Sequence, residues 1–67
     1  MRLWLRELRG KAGMSQTEIA NLVGIDVTSI GKYENGKRRP SIEVAKKIAA
    51  LLNFDWTLFF ADKENTG

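Results

Sequence analysis

Residues 15–36 read Ser15-Gln16-Thr17-Glu18-Ile19-Ala20-Asn21-Leu22-Val23-Gly24-Ile25-Asp26-Val27-Thr28-Ser29-Ile30-Gly31-Lys32-Tyr33-Glu34-Asn35-Gly36. This stretch predicts a helix, a tight turn, a second helix and a stop. Ser15 and Glu18 form a capping box, each side chain meeting the other residue's backbone N–H. Met14 and Ile19 bracket that cap as a hydrophobic staple. Ile19, Leu22 and Val23 supply the stripe the helix buries. Gly24 gives the positive φ of a sharp C-terminal turn. The next helix takes Asp26 as N-cap and stops at Gly36. Ile30 and Tyr33 lie on one side of it.

The flanks continue the helical pattern. A first helix is expected over about residues 2–11, with Leu5, Leu8 and Ala12 in register, Trp4 beside Leu8, and Gly13 as a left-handed cap. After Pro40, Ser41 can cap a fourth helix. Its core stripe is Ile42, Ala45, Ile48, Ala49 and Leu52, with Lys46 and Lys47 outward. Asn53 can end it, and Asp55 can cap a last short helix through Phe60. The expected fold is all-α, with five helices and no strand. One domain is expected over 1–61, followed by a polar tail over 62–67.

Composition narrows the chemistry. The chain has 67 residues and neither Cys nor His. Disulfides and thiolate sites are excluded, as are the usual metal ligand and the usual general base near neutral pH. The acids are scattered, and Gly10-Lys11-Ala12-Gly13 lacks the spacing of a phosphate-cradling loop. No enzyme activity, metal or cofactor is expected. No apolar run reaches the roughly 20 residues that span a bilayer. Met1 to Leu5 is too short for a signal peptide and is interrupted by Arg6 and Glu7. A cytoplasmic protein with no membrane role is expected. A chain this small buries a limited core, so regular packing or a second subunit must help it.

Net charge is +3, and it is unevenly placed. Lys32, Lys37, Arg38, Arg39, Lys46 and Lys47 face only Glu34 and Glu43 within residues 32–47. Arg2, Arg6, Arg9 and Lys11 face only Glu7 near the start, and the end is acidic. A basic middle suits a polyanion. Charge alone leaves a merely solvated basic face equally open.

Two short helices joined by a tight turn, beside a basic surface, form the unit that sets a helix in a DNA major groove. On a helical wheel Thr28 and Lys32 share the side opposite Ile30 and Tyr33, and Val27 and Gly31 flank them. Lys can donate to guanine O6 and N7, and the Thr and Val methyls can touch the thymine methyl. A mid-helix Gly costs about 1 kcal/mol against Ala, so Gly31 either lets the backbone approach DNA or is tolerated at an exposed site. The first turn of the second helix can hold a phosphate, with Gln16 adding a donor. Asn35, Lys37, Arg38 and Arg39 follow in a polar loop placed to grip the backbone. Arg9 and Glu34 are the first choice for an internal ion pair. Spacing alone leaves two solvated charges open.

These residues resemble the phage-repressor or XRE-type helix-turn-helix family of transcriptional regulators. The likeness runs from about Leu5 to Phe60. It is carried by Leu5-Arg6-Glu7-Leu8-Arg9, Ser15 to Ala20, Val23-Gly24-Ile25, Ile30, Tyr33 to Ser41, and the Ala45–Leu52 helix. It implies a compact five-helix, lambda-repressor-like DNA-binding domain with the third helix as reader. It implies base contacts at Val27, Thr28, Gly31 and Lys32. Phosphate contacts are implied at Gln16 and Asn35, with Lys37 nearby, and the resemblance supports a buried Arg9–Glu34 pair. Asp26 stands where a Ser or Thr often meets phosphate, so an N-cap role is expected there instead. Gly31 lacks a side chain that often reads a base, leaving that position unread or read by shape.

Phe54, Trp56, Leu58, Phe59 and Phe60 crowd the end of the domain. Such a cluster either folds back on the core or leaves an apolar patch for an interface. Trp56, Phe59 and Phe60 are the expected anchors of a homodimer on a pseudo-palindromic operator, the resemblance implying that symmetry. The expected function is a small repressor of double-stranded DNA acting by operator occupancy. The competing expectation is a protein-interaction module whose working surface is the apolar C-terminal segment.

Overall fold

The computed structural model describes residues 1–61; the expected polar tail at 62–67 lies outside the described residues. Four α-helices follow one another: α1 (Leu3–Ala12), α2 (Gln16–Val23), α3 (Val27–Asn35) and α4 (Ile42–Leu52). A 3-10 helix (Trp56–Phe60) closes the fold, so the fifth expected helix forms in the tighter 3-10 geometry. No strand occurs among the described residues.

The caps explain the boundaries. Gly13, Gly24 and Gly36 end the first three helices in the left-handed conformation, and Asn53 ends α4 the same way. The Ser15–Glu18 box is complete: Glu18 N donates to Ser15 Oγ at 3.0 Å, and Ser15 N donates to Glu18 Oε1 at 2.8 Å. Ser41 Oγ accepts from Val44 N. Asp55 caps the last turn through the amide and hydroxyl of Thr57. Asp26 takes the N-cap position of α3 by its backbone angles, yet its carboxylate accepts no cap hydrogen bond.

The core gathers Leu5, Ile19, Ala20, Val23, Ile30, Tyr33, Ala45, Ile48, Leu52 and Phe59. α2 packs on α3 and α4, α1 on α3 and α4, and the 3-10 helix on α4. Phe59 is 0% exposed and sits among Trp4, Phe54 and Tyr33, with edge-on centroid distances of 5.3, 5.7 and 6.5 Å. Offset or edge-on aromatic contacts of this kind add to the burial itself.

Several sequence expectations are corrected. Phe59 cannot anchor a dimer, because the aromatic cluster consumes its whole surface. Leu22 is 65% exposed and Ile42 54% exposed, although both lie on the apolar stripes expected of their helices. α2 is only eight residues long, and Ile19, Ala20 and Val23 already fill its inner face. Ile42 opens α4, ahead of the turn that meets the core. Ala12, at the end of α1, is exposed as well.

Arg2, which reads as part of a solvated basic start, is 2% exposed. The last turn of a helix leaves carbonyls without partners and carries partial negative charge. Arg2 meets that end of α3. Its backbone N donates to Glu34 O at 2.8 Å, and its Nη1 donates to Tyr33 O at 2.8 Å and Arg38 O at 2.9 Å. Its guanidinium carbon lies 5.6 Å from the Phe59 ring centroid. One buried cation thereby ties the chain start to the end of α3 and to the loop after it.

Candidate nucleic-acid interface

α3 is held by its inner side. Ile30 and Tyr33 are buried, and Glu34 is buried on the flank facing α1. Thr28 and Lys32 are exposed on the other side, Val27 is 43% exposed, and Gly31 is partly exposed between them. A Cβ built on Gly31 meets nothing within 4 Å, so this glycine serves no internal packing contact. The four expected base-reading positions therefore share one accessible side.

Glu34 organises the adjoining edge. Arg9 Nε donates to Glu34 Oε2 at 2.5 Å and Arg9 Nη2 to Oε1 at 3.3 Å. Gln16 Nε2 donates to the same Oε1 at 3.0 Å. Arg9 Nη1 also reaches Met14 O at 3.1 Å, fixing the turn that precedes α2. Both carboxylate oxygens are thus occupied, and the described residues hold no buried side-chain polar atom without a partner. A buried pair of this kind fixes geometry more surely than it adds net stability. Here it locks the start of α2 against the end of α3. Gln16, expected at a phosphate, keeps its second amide hydrogen uncommitted in this arrangement.

Asn35, Lys37, Arg38 and Arg39 are all exposed. Lys37 N donates to Lys32 O, continuing the Gly36 cap, and the Arg38 carbonyl is held by Arg2. The loop backbone is therefore fixed at two points while its side chains are presented outward. Arg39 differs from its neighbours: its guanidinium carbon lies 5.4 Å from the Phe60 ring centroid. Lys46 Nζ lies 5.2 Å from the Trp56 ring, and Trp56 and Phe60 meet edge-on at 5.8 Å. Trp56 and Phe60 are partly buried against the core, and each carries a cation over its ring.

Sequence reasoning missed Arg2, and composition could not reveal it. Its environment is made of backbone carbonyls on α3 and the following loop, which exists only once the helices have packed. No group of His, Cys, Asp and Glu able to hold a metal occurs among the described residues.

A helix-turn-helix family profile matches residues 5–59. An uncharacterized HTH-type transcriptional regulator, YqaF, of Bacillus subtilis is 45% identical over 62 residues, covering 92% of this chain and 82% of its own length. An uncharacterized HTH-type transcriptional regulator of Archaeoglobus fulgidus is 41% identical over 69 residues, covering all of this chain and 99% of its own length. The ImmF control region 10 kDa protein of Bacillus phage phi105 is 33% identical over 51 residues, covering 76% of this chain and 57% of its own length.

Proposed function

This chain belongs to the helix-turn-helix family of transcriptional regulators, and on that premise we propose that it is a sequence-specific repressor that occupies a pseudo-palindromic operator as a homodimer. The supporting observation is the division of α3 into a buried Ile30–Tyr33 side and an accessible Thr28–Lys32 side. In this reading Lys32 donates to guanine O6 and N7, and Val27 and Thr28 meet thymine methyls. Gly31 brings backbone close to the bases. Gln16, Asn35, Lys37 and Arg38 hold phosphates, and Arg39 joins them when it leaves Phe60.

The dimer reading draws support from apolar surface near the end of the domain. Leu51 and Leu58 are exposed, and Trp56 and Phe60 are only partly buried. With Phe59 withdrawn to the core, Trp56 and Phe60 remain as anchors. No helix of the described residues is long and apolar enough to cross a membrane, and we place the protein with DNA in the cytoplasm.

Selection of bound duplexes from a random pool tests the reading. It should return two half-sites about 10 base pairs apart, the spacing of two reading helices in successive major grooves. Recovery of no preferred duplex over bulk competitor overturns it. Affinity that ignores salt would favour the protein-interaction module instead, because phosphate contacts make binding fall steeply with salt.

A further inference from the structure

A cleft of about 280 Å³ opens between α1, the start of α2 and the accessible side of α3. Arg2, Arg6, Gln16, Gly31, Glu34 and Asn35 are among its lining residues. Three of these carry charge, and two are committed. Both oxygens of Glu34 are taken by Arg9 and Gln16. The Arg2 guanidinium is buried and donates to the carbonyls of Tyr33 and Arg38. Arg6 is exposed and has no hydrogen-bond or ion-pair partner among the described residues.

The two carboxamides of the cleft can each turn a donor toward it. Asn35 presents an exposed carboxamide, and Gln16 has one amide hydrogen left after its bond to Glu34. Gly31 puts no side chain across the opening, and a Cβ there would meet nothing within 4 Å. A free guanidinium beside two carboxamide donors, with the local carboxylate already satisfied, suits an oxyanion that presents several oxygens. Guanidinium offers paired donors to phosphate, which an ammonium cannot do.

We propose that Arg6 is a DNA-backbone contact, closing from α1 on the phosphate that Gln16 and Asn35 meet. α1 then takes part in the grip, beyond the helix-turn-helix and the loop after it. This rests on the DNA-binding reading above.

The test compares the full chain with Arg6→Ala, Arg6→Lys and Lys47→Ala, the last an exposed cation on α4 away from the cleft. Binding is measured from about 50 to 200 mM salt on the selected duplex and on a random-sequence duplex of equal length. Arg6→Ala should weaken both duplexes by a similar factor and lower the salt slope by about 0.9 per bound chain. Arg6→Lys should keep the slope and lose part of the affinity. Lys47→Ala should match the parent chain. Arg6 is exposed, so a melting curve should show all variants folded. If the parent chain binds with a steep slope and Arg6→Ala keeps that slope, Arg6 is only a solvated cation and this proposal falls alone. If the parent chain shows no salt-dependent duplex binding, the DNA reading falls and takes this proposal with it.

Discussion

Gln16 and Glu34 stand 18 residues apart in sequence and are joined by a hydrogen bond of 3.0 Å from Nε2 to Oε1. The same carboxylate holds Arg9. A partly exposed amide at the start of α2 and a guanidinium of the inner frame thus share one carboxylate. Removing Glu34 leaves the Arg9 guanidinium largely buried without its partner. Glu34→Ala should cost about 3–5 kcal/mol, comparable to the whole stability of many small domains. Thermal melts should show it largely unfolded at 37 °C. Glu34→Gln keeps an acceptor for one donor and should fall between. An alanine variant that melts like the parent chain would show that the pair holds nothing together.

Lys32 and Lys37 are both exposed, one on the accessible side of α3 and one in the loop after it. They should behave differently. Lys32→Ala should relax base preference at one operator position by about 1–3 kcal/mol. Lys37→Ala should weaken specific and random duplexes alike and reduce the salt slope by about one. Equal losses on both duplexes for both variants would contradict the assignment of α3 as reader.

Phe59 and Phe60 are neighbours with opposite fates. Phe59→Ala empties the centre of the aromatic cluster and should cost about 3–5 kcal/mol. Phe60 is partly buried and lies under Arg39. Phe60→Ala should therefore keep the fold and free Arg39, while shifting a homodimer toward monomer in sedimentation at micromolar concentration. A parent chain that is already monomeric there, and unchanged by the substitution, would sink the dimer.

That divergence marks what a sequence can carry. Caps are local chemistry, so Ser15 with Glu18, Ser41, Asp55 and the glycines 13, 24 and 36 announced the element ends correctly. The two sides of α3 were legible because Ile30 and Tyr33 keep helical register against polar neighbours. The Arg9–Glu34 contact could be named but not settled, since 25 residues separate its ends. Arg2 was illegible because its partners are carbonyls that every sequence possesses. Leu22 and Ile42 fit the helical stripes yet stay exposed, because a stripe says which residues share a side, not how far the neighbouring helix extends. The sequence leaves the aromatic end open between interface and core because two of the three rings that receive Phe59, those of Trp4 and Tyr33, come from distant segments of the chain.

Asp55 accepts hydrogen bonds from the amide and then the hydroxyl of Thr57, and these hold its carboxyl below the ordinary aspartate value. A carboxyl lowered on folding lends stability above its unfolded pKa and loses it as pH falls through the folded one. Asp55→Ala should therefore melt earlier than the parent chain at neutral pH. The gap between the two melting temperatures should close as the solution is acidified past the ordinary aspartate range. A gap that stays constant into acid would mean that the cap acts through packing and not through its charge.

Gly36 and Gly24 are both left-handed, at φ +76° and +85°. Any L side chain pays the same kind of backbone strain at either, roughly 1–2 kcal/mol. Their surroundings differ. A Cβ at Gly24 meets nothing within 4 Å, whereas one at Gly36 comes within 3.1 Å of Met1 N and 3.3 Å of Met1 Cα. Those are backbone atoms of the segment that Arg2 fastens to Glu34 O and Tyr33 O. They cannot step aside without loosening that attachment. Gly36→Ala should thus lower the melting temperature more than Gly24→Ala, and should also weaken DNA binding by releasing the loop that carries Lys37 to Arg39. If the two alanine variants melt together and bind alike, the chain start does not brace the end of α3.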